Sequence, residues 1–231
     1  MGERPLCLWS DGEDKKPPRC RKRDAYVPIS TNRFLVYPYA NGQVLHEETL
    51  EQQFPRTYEY LRFYATILKE RSSVAASGLR WYELVRKRDE KWLRSKKLLM
   101  RDLAPAPAFS LDDLGTTFLI GGTAVVPSDD SLAEPLLAFM NSRFVAWYLD
   151  QKTPAFRGGY RKFEVQHLTE VPVPEGFFED STQEILARLA RDAAAFHMAN
   201  PGDTLSPSEM AINEKIDALL PEVTGAHVRS R

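Results

Sequence analysis

Cysteine is scarce in this chain: two residues, Cys7 and Cys20, among 231. Two thiols make no disulfide framework, and neither sits in the paired spacing of a zinc site, so both read as free thiols in a reducing compartment. Long apolar runs are missing. None approaches the ~20 residues that a membrane helix needs. The opening MGERPLCLWSDGEDKKPPRC also lacks the apolar stretch of a secretion signal. A cytoplasmic location with no membrane partner is expected. Excess charge of one sign is missing as well, since the net charge is −1; a uniformly basic nucleic-acid binder is excluded. Internal repeats and low-complexity blocks are absent. What remains is 43% hydrophobic and 27% charged, the profile of a globular domain with a real core.

The residue patterns of catalysis are also wanting. A base-amino methyltransferase needs a Gly-rich loop after a first strand for S-adenosylmethionine, and an Asn-Pro-Pro-Tyr-like loop to grip the base. Gly121-Gly122 lies between apolar stretches without a strand–GxG–helix context and reads as a hairpin turn. Asn200-Pro201 is followed by Gly202 and Asp203, which reads as a turn between helices. Asp89-Glu90-Lys91 holds half of a nuclease pattern, crowded by Arg86, Lys87 and Arg88. The four histidines, His46, His167, His197 and His227, stand away from any nucleophile elbow. No catalytic residue, metal site or cofactor site is expected in this chain.

Charge is unevenly spread. Between Arg80 and Arg101 nine basic side chains face only Glu83, Asp89 and Glu90, while 175–231 holds ten acidic side chains against five basic ones. Such a division suits a polyanion in the middle of the chain and solvent or a protein at its end. KKPPRCRKR (15–23) adds a basic cluster to a lead, 1–24, that shows no apolar period.

From Tyr26 to Tyr39 the chain reads as strand, turn, strand, with Asn41-Gly42 as turn chemistry. Residues 50–73 have helical spacing, with Leu61, Tyr64, Ile67 and Leu68 on one face and Pro55 suited to a helix start. A strand is expected at 96–104, a Pro-broken connector at 105–113 and a strand–turn–strand at 116–128. An amphipathic helix capped by Ser131 follows over 131–151. Then come a Gly-bearing loop, a short helix and a Pro-locked exit (156–174), and two tail helices near 181–198 and 207–220. Short strands with segregated helices argue α+β: a small mixed or antiparallel sheet with a helical C-terminal tail. The expected organisation is a flexible lead (1–24), one domain (25–178) and a helical extension packed on it (179–231).

Three segments, in order, carry a resemblance: FLVYPYANGQVLHEETLEQQFPRTYEYLRFYATILKER (34–71), RWYELVRKR (80–88) with KKLLMRDLA, and LLAFMNSRFVAWYL (136–149) through FRGGYRKFEVQHLTEVPVP (156–174). Together they resemble the C-terminal specificity domain of the TaqI-like family, the target-recognition part of N6-adenine DNA methyltransferases and restriction–modification enzymes. INEKIDALLPEVTGA (212–226) is similar to the closing helix of such enzymes. The chain departs from the family at Arg101-Asp102, where a proline is frequent, and at VTGA, where Tyr-Gly-Leu is usual. The resemblance implies double-stranded DNA and an N6-adenine methyltransferase domain or subunit as partners. The methyltransferase would bind S-adenosylmethionine and do the chemistry.

Two stretches are candidates for the DNA surface. Arg80, Arg86, Lys87 and Arg88 flank Trp81-Tyr82, placing cations for phosphates beside aromatics for sugars or a distorted step, unless the aromatics are core. In Arg157-Gly158-Gly159-Tyr160-Arg161-Lys162 the glycine pair permits close backbone approach while three cations project from a tight loop. Arginine pairs bidentately with guanine, so Arg161 is the candidate base reader. Two other readings stand beside this one: a complete enzyme with an unfamiliar site, and a subunit that docks on a methyltransferase and scarcely touches DNA.

Overall fold

A two-residue hairpin turn that matches strand twist needs positive φ at both central residues, and Asn41 and Gly42 have φ of 50° and 72°. The computed structural model describes residues 25–27, 34–87, 89–118, 121–201, 203 and 205–220. In it this turn joins β1 (Tyr39–Ala40) to β2 (Gln43–Val44), with Tyr39 paired to Val44 and Ala40 to Gln43. The expected strand near Tyr26 does not form there: Tyr26 takes φ 66°, and its N–H donates to the Phe109 carbonyl at 2.9 Å. Cys7, Cys20, the lead 1–24 with its basic cluster, His227 and the VTGA ending lie outside the described residues.

Among the described residues the chain forms two units, 34–94 and 25–27 with 95–220, so a boundary falls between Arg94 and Ser95, inside the span 25–178 read above as one domain. The first contains the hairpin, α1 (Glu47–Gln53), α2 (Pro55–Phe63), α3 (Ala65–Lys69), α4 (Ser72–Ser77) and α5 (Glu90–Arg94). The single helix expected over 50–73 is broken into short ones. Phe54 leaves helical geometry (φ −133°, ψ 54°) and Pro55 restarts the helix at its first position. Tyr64 (φ −98°, ψ 11°) interrupts it again. Leu50, Leu61 and Tyr82 form the buried centre, and Phe54, Tyr58, Leu68 and Trp81 pack around it. Tyr64 and Ile67, expected on the buried face, are exposed, because each break rotates the next turn away from the stripe.

In the second unit β3 (Lys97–Arg101) is the middle of an antiparallel sheet, between β5 (Ser110–Asp112) and β6 (Gly122–Val125). Residues 105–113, read as connector, therefore hold a strand. The partner of β6 is β3, and 116–118 form no strand. Side-chain alternation along β3 sends Leu98 and Met100 into the main core. Lys97 pairs with Asp112 directly across the ladder, at 2.6 Å with both side chains buried. A separate antiparallel pair joins β4 (Leu103–Ala104) to β7 (Arg161–Lys162).

The helix expected over 131–151 is two helices, α6 (Ala133–Met140) and α7 (Arg143–Lys152). Ser131 is not the cap; Asp129 accepts its backbone N–H at 2.8 Å and opens a 3-10 turn, Asp130–Leu132. Between α6 and α7, Asn141 donates to the Phe109 carbonyl (3.0 Å) and accepts from its N–H (2.8 Å), as a strand neighbour would. Ser142 caps α7 by accepting from the Val145 N–H. After α8 (Val165–Thr169), α9 (Asp180–Ala199) buries Thr182, Leu186, Ala190, Ala193 and His197, one helical stripe. α10 (Pro207–Leu219) adds Ile212 and Ile216 to the same core. The tail helices are thus part of the second unit's core. The fold is α+β, with small antiparallel sheets and segregated helices. Among the described residues no helix is long and apolar enough to cross a membrane.

Candidate nucleic-acid interface

Residues 80–87 are laced onto the hairpin at successive points. The Leu45 carbonyl accepts from the Arg80 guanidinium (2.8 Å) and from the Tyr82 hydroxyl (2.8 Å). The Tyr39 hydroxyl accepts from the Leu84 N–H at 3.0 Å. Lys87 donates its ammonium to the Gly42 carbonyl and stands 5.9 Å from the Tyr39 ring centre. From the other side, Arg71 donates to the carbonyls of Trp81 (2.7 Å) and Glu83 (2.9 Å). The carbonyls of Trp81 and Glu83 and the Leu84 N–H thereby find partners without a strand ladder.

This lacing sorts the candidates. Tyr82 is core, and burial, the largest cause, pushes its hydroxyl above the usual range while Arg80 pulls the other way. Trp81 is half-buried, edge-on to Tyr82, with its indole N–H 3.4 Å from Glu47. Arg80 spends its donors on Leu45, and its backbone N–H reaches Glu83 at 2.6 Å. These three are scaffold. Val85, Arg86 and Lys87 are exposed, and among the described residues Arg86 has no hydrogen-bond or ion-pair partner. Arg88 lies outside the described residues. Asp89, half of the nuclease-like pattern, accepts the Lys91 N–H at 2.9 Å, at the start of α5.

The second stretch belongs to the second unit. Arg157–Gly159 is a tight turn closed by the Phe156 N–H donating to the Tyr160 carbonyl at 2.7 Å. Gly158 and Gly159 take φ of 79° and 76°, so the turn needs glycine. The side chain of Arg157 lies outside the described part; Tyr160 is half-buried. Arg161 pairs with Asp150 at 2.6 Å and donates to the Thr153 carbonyl at 2.6 Å, pinning the loop's base to α7. Lys162 pairs with Glu164 at 2.7 Å. That hydrogen bond is the main reason the ammonium titrates above, and the carboxyl below, the ordinary range.

Two residues beside these surfaces, Asn41 and Asp150, carried no binding signal in the sequence reading. Asn41 is an exposed side chain on a turn recognised only as a turn. Phe156, the first residue of the FRGGYRKF stretch, is exposed. Asp150 neutralises Arg161 from another element, and nothing local in the sequence signals that pairing. No group of three or more His, Cys, Asp or Glu among the described residues is arranged to hold a metal ion. His197 bonds Glu209 at 2.7 Å between α9 and α10, a packing role.

Fold and surface together define α+β units in which exposed Arg86 and Lys87 stand on a segment laced to a hairpin turn. Residues 37–173 match the TaqI-like C-terminal specificity domain, and the chain belongs to that family. It is also similar to the type II restriction enzyme and methyltransferase RM.Eco57I of Escherichia coli, 24% identical over 174 residues. That match covers 69% of this chain and 17% of the relative's length.

Proposed function

We propose that the chain is a sequence-specific DNA-recognition module of an adenine-specific DNA methyltransferase or restriction–modification enzyme. It holds the duplex while a methyltransferase domain or subunit, which binds S-adenosylmethionine, flips and modifies the adenine. Flipping costs a few kcal/mol, and the module's contribution is positioning; the chain alone performs no catalysis. The observation that carries this reading is Arg86, exposed and unpartnered among the described residues, beside Lys87 on a segment laced to a hairpin turn. Family membership and the relative's name give it direction. Arg86 and Lys87 supply phosphate neutralisation, and the Gly158-Gly159 turn with Tyr160 and Lys162 is a second contact. Arg161 acts here by holding that turn in shape.

Gel shifts of a random-sequence duplex at rising salt test the reading. Each neutralised phosphate contributes about 0.9 to the slope of log affinity against log salt, so a steep fall is expected. A second reading, docking on a methyltransferase with little DNA binding, is favoured by exposed Met198, Leu205 and Met210 on or between the acidic tail helices. Absence of any shift at low salt would select it.

A further inference from the structure

We infer that Asn41, at the tip of the β1–β2 hairpin, is a base-reading residue that recognises an adenine in the major groove. This rests on the DNA-recognition reading above and adds a specificity determinant to it. The turn itself tolerates Asn, Asp or Gly at this position, because each accepts positive φ. Of the three, only asparagine presents a donor and an acceptor side by side, the fork that matches adenine N6 and N7. Asn41 is exposed, and its amide has no partner among the described residues. The fork is therefore not taken up by any described residue.

The tip is also held in place. Lys87 grips the Gly42 carbonyl, the Tyr39 hydroxyl meets Leu84, and Leu45 anchors Arg80 and Tyr82. A turn fixed on both flanks loses little conformational freedom on binding. A two-stranded ribbon enters the major groove, about 12 Å wide. Gly42 next to Asn41 keeps the tip narrow: a Cβ added there would meet nothing nearer than the Lys87 ammonium, 3.9 Å away. Arg86 and Lys87, exposed beside the tip, supply the phosphate contacts that fix register while Asn41 reads an edge.

The test is enrichment of bound duplexes from a pool randomised over about ten base pairs, one helical turn. The full-length chain, Asn41→Gly and Asn41→Asp are compared; both replacements accept the turn's φ. The wild-type chain is expected to enrich a motif containing a fixed adenine. Asn41→Gly should bind the unselected pool as before but lose that adenine preference by about tenfold, within the discrimination one bidentate pair supplies. Asn41→Asp should move the preference toward cytosine, whose N4 amino group a carboxylate accepts. An unchanged motif in Asn41→Gly overturns the inference alone, whereas a wild-type chain that retains the pool without enriching any motif overturns sequence-specific recognition as well. A wild-type chain that does not retain the pool overturns the recognition reading and the inference with it.

Discussion

Arg86 and Arg161 bear the same charge and face different surroundings. Arg161 is closed off by Asp150 and the Thr153 carbonyl, whereas Arg86 is open to solvent. Replacing Arg86 with alanine should weaken binding to duplexes of every sequence alike and lower the salt slope by about 0.9, read by fluorescence anisotropy of a labelled duplex across a salt series. An unchanged slope would remove Arg86 from the interface. Asp150→Ala removes the carboxylate that neutralises Arg161, so duplex binding should tighten and its salt slope steepen. Thermal stability should fall by no more than about 1 kcal/mol, the range for pairs this open to solvent. Unaltered binding would mean that a freed Arg161 meets no phosphate and that the turn at 157–162 stands away from the duplex. The cations were legible in the sequence, but their availability was not. Glu164 stands two positions from Lys162 and could be suspected as its partner; Asp150 reaches Arg161 only through the packing of α7 against the loop.

Elements were legible where one local signal decides them. The Asn41-Gly42 turn, the helix start at Pro55, β3 and the two tail helices all appear near their expected places. The misreadings share a cause: a break or a pairing fixed by distant residues. α6 and α7 separate because Asn141 turns to clamp Phe109 and Ser142 caps the next helix. β5 was hidden in a proline-rich stretch because its strand character comes from pairing with β3, with Asp112 opposite Lys97. Asp112 also accepts the N–H groups of Thr116 (3.1 Å) and Thr117 (2.9 Å), ordering the loop after the strand. Asp112→Ala should therefore cost about 3–5 kcal/mol, the range for breaking a buried ion pair. Urea unfolding gives that figure; a loss below 1 kcal/mol would mean the pair is not held as described.

At the scale of the molecule, the α+β class followed from short strands and separate helices, but the division between Arg94 and Ser95 did not. It falls inside a continuous basic run, 80–101, without the glycine or proline that marks a linker. A net charge of −1 permits DNA binding because field strength at a surface follows local charge, not the sum. The central claim is that the hairpin tip with residues 85–87 in the first unit, and the turn at 157–162 in the second, are what a duplex touches. Amide hydrogen exchange of the whole chain, with and without a saturating duplex at low salt, measures this directly. The account predicts added protection at 39–46, 80–87 and 156–163, with α9 and α10 unchanged. Protection confined to α9 and α10, or none at any of the three stretches, would contradict it.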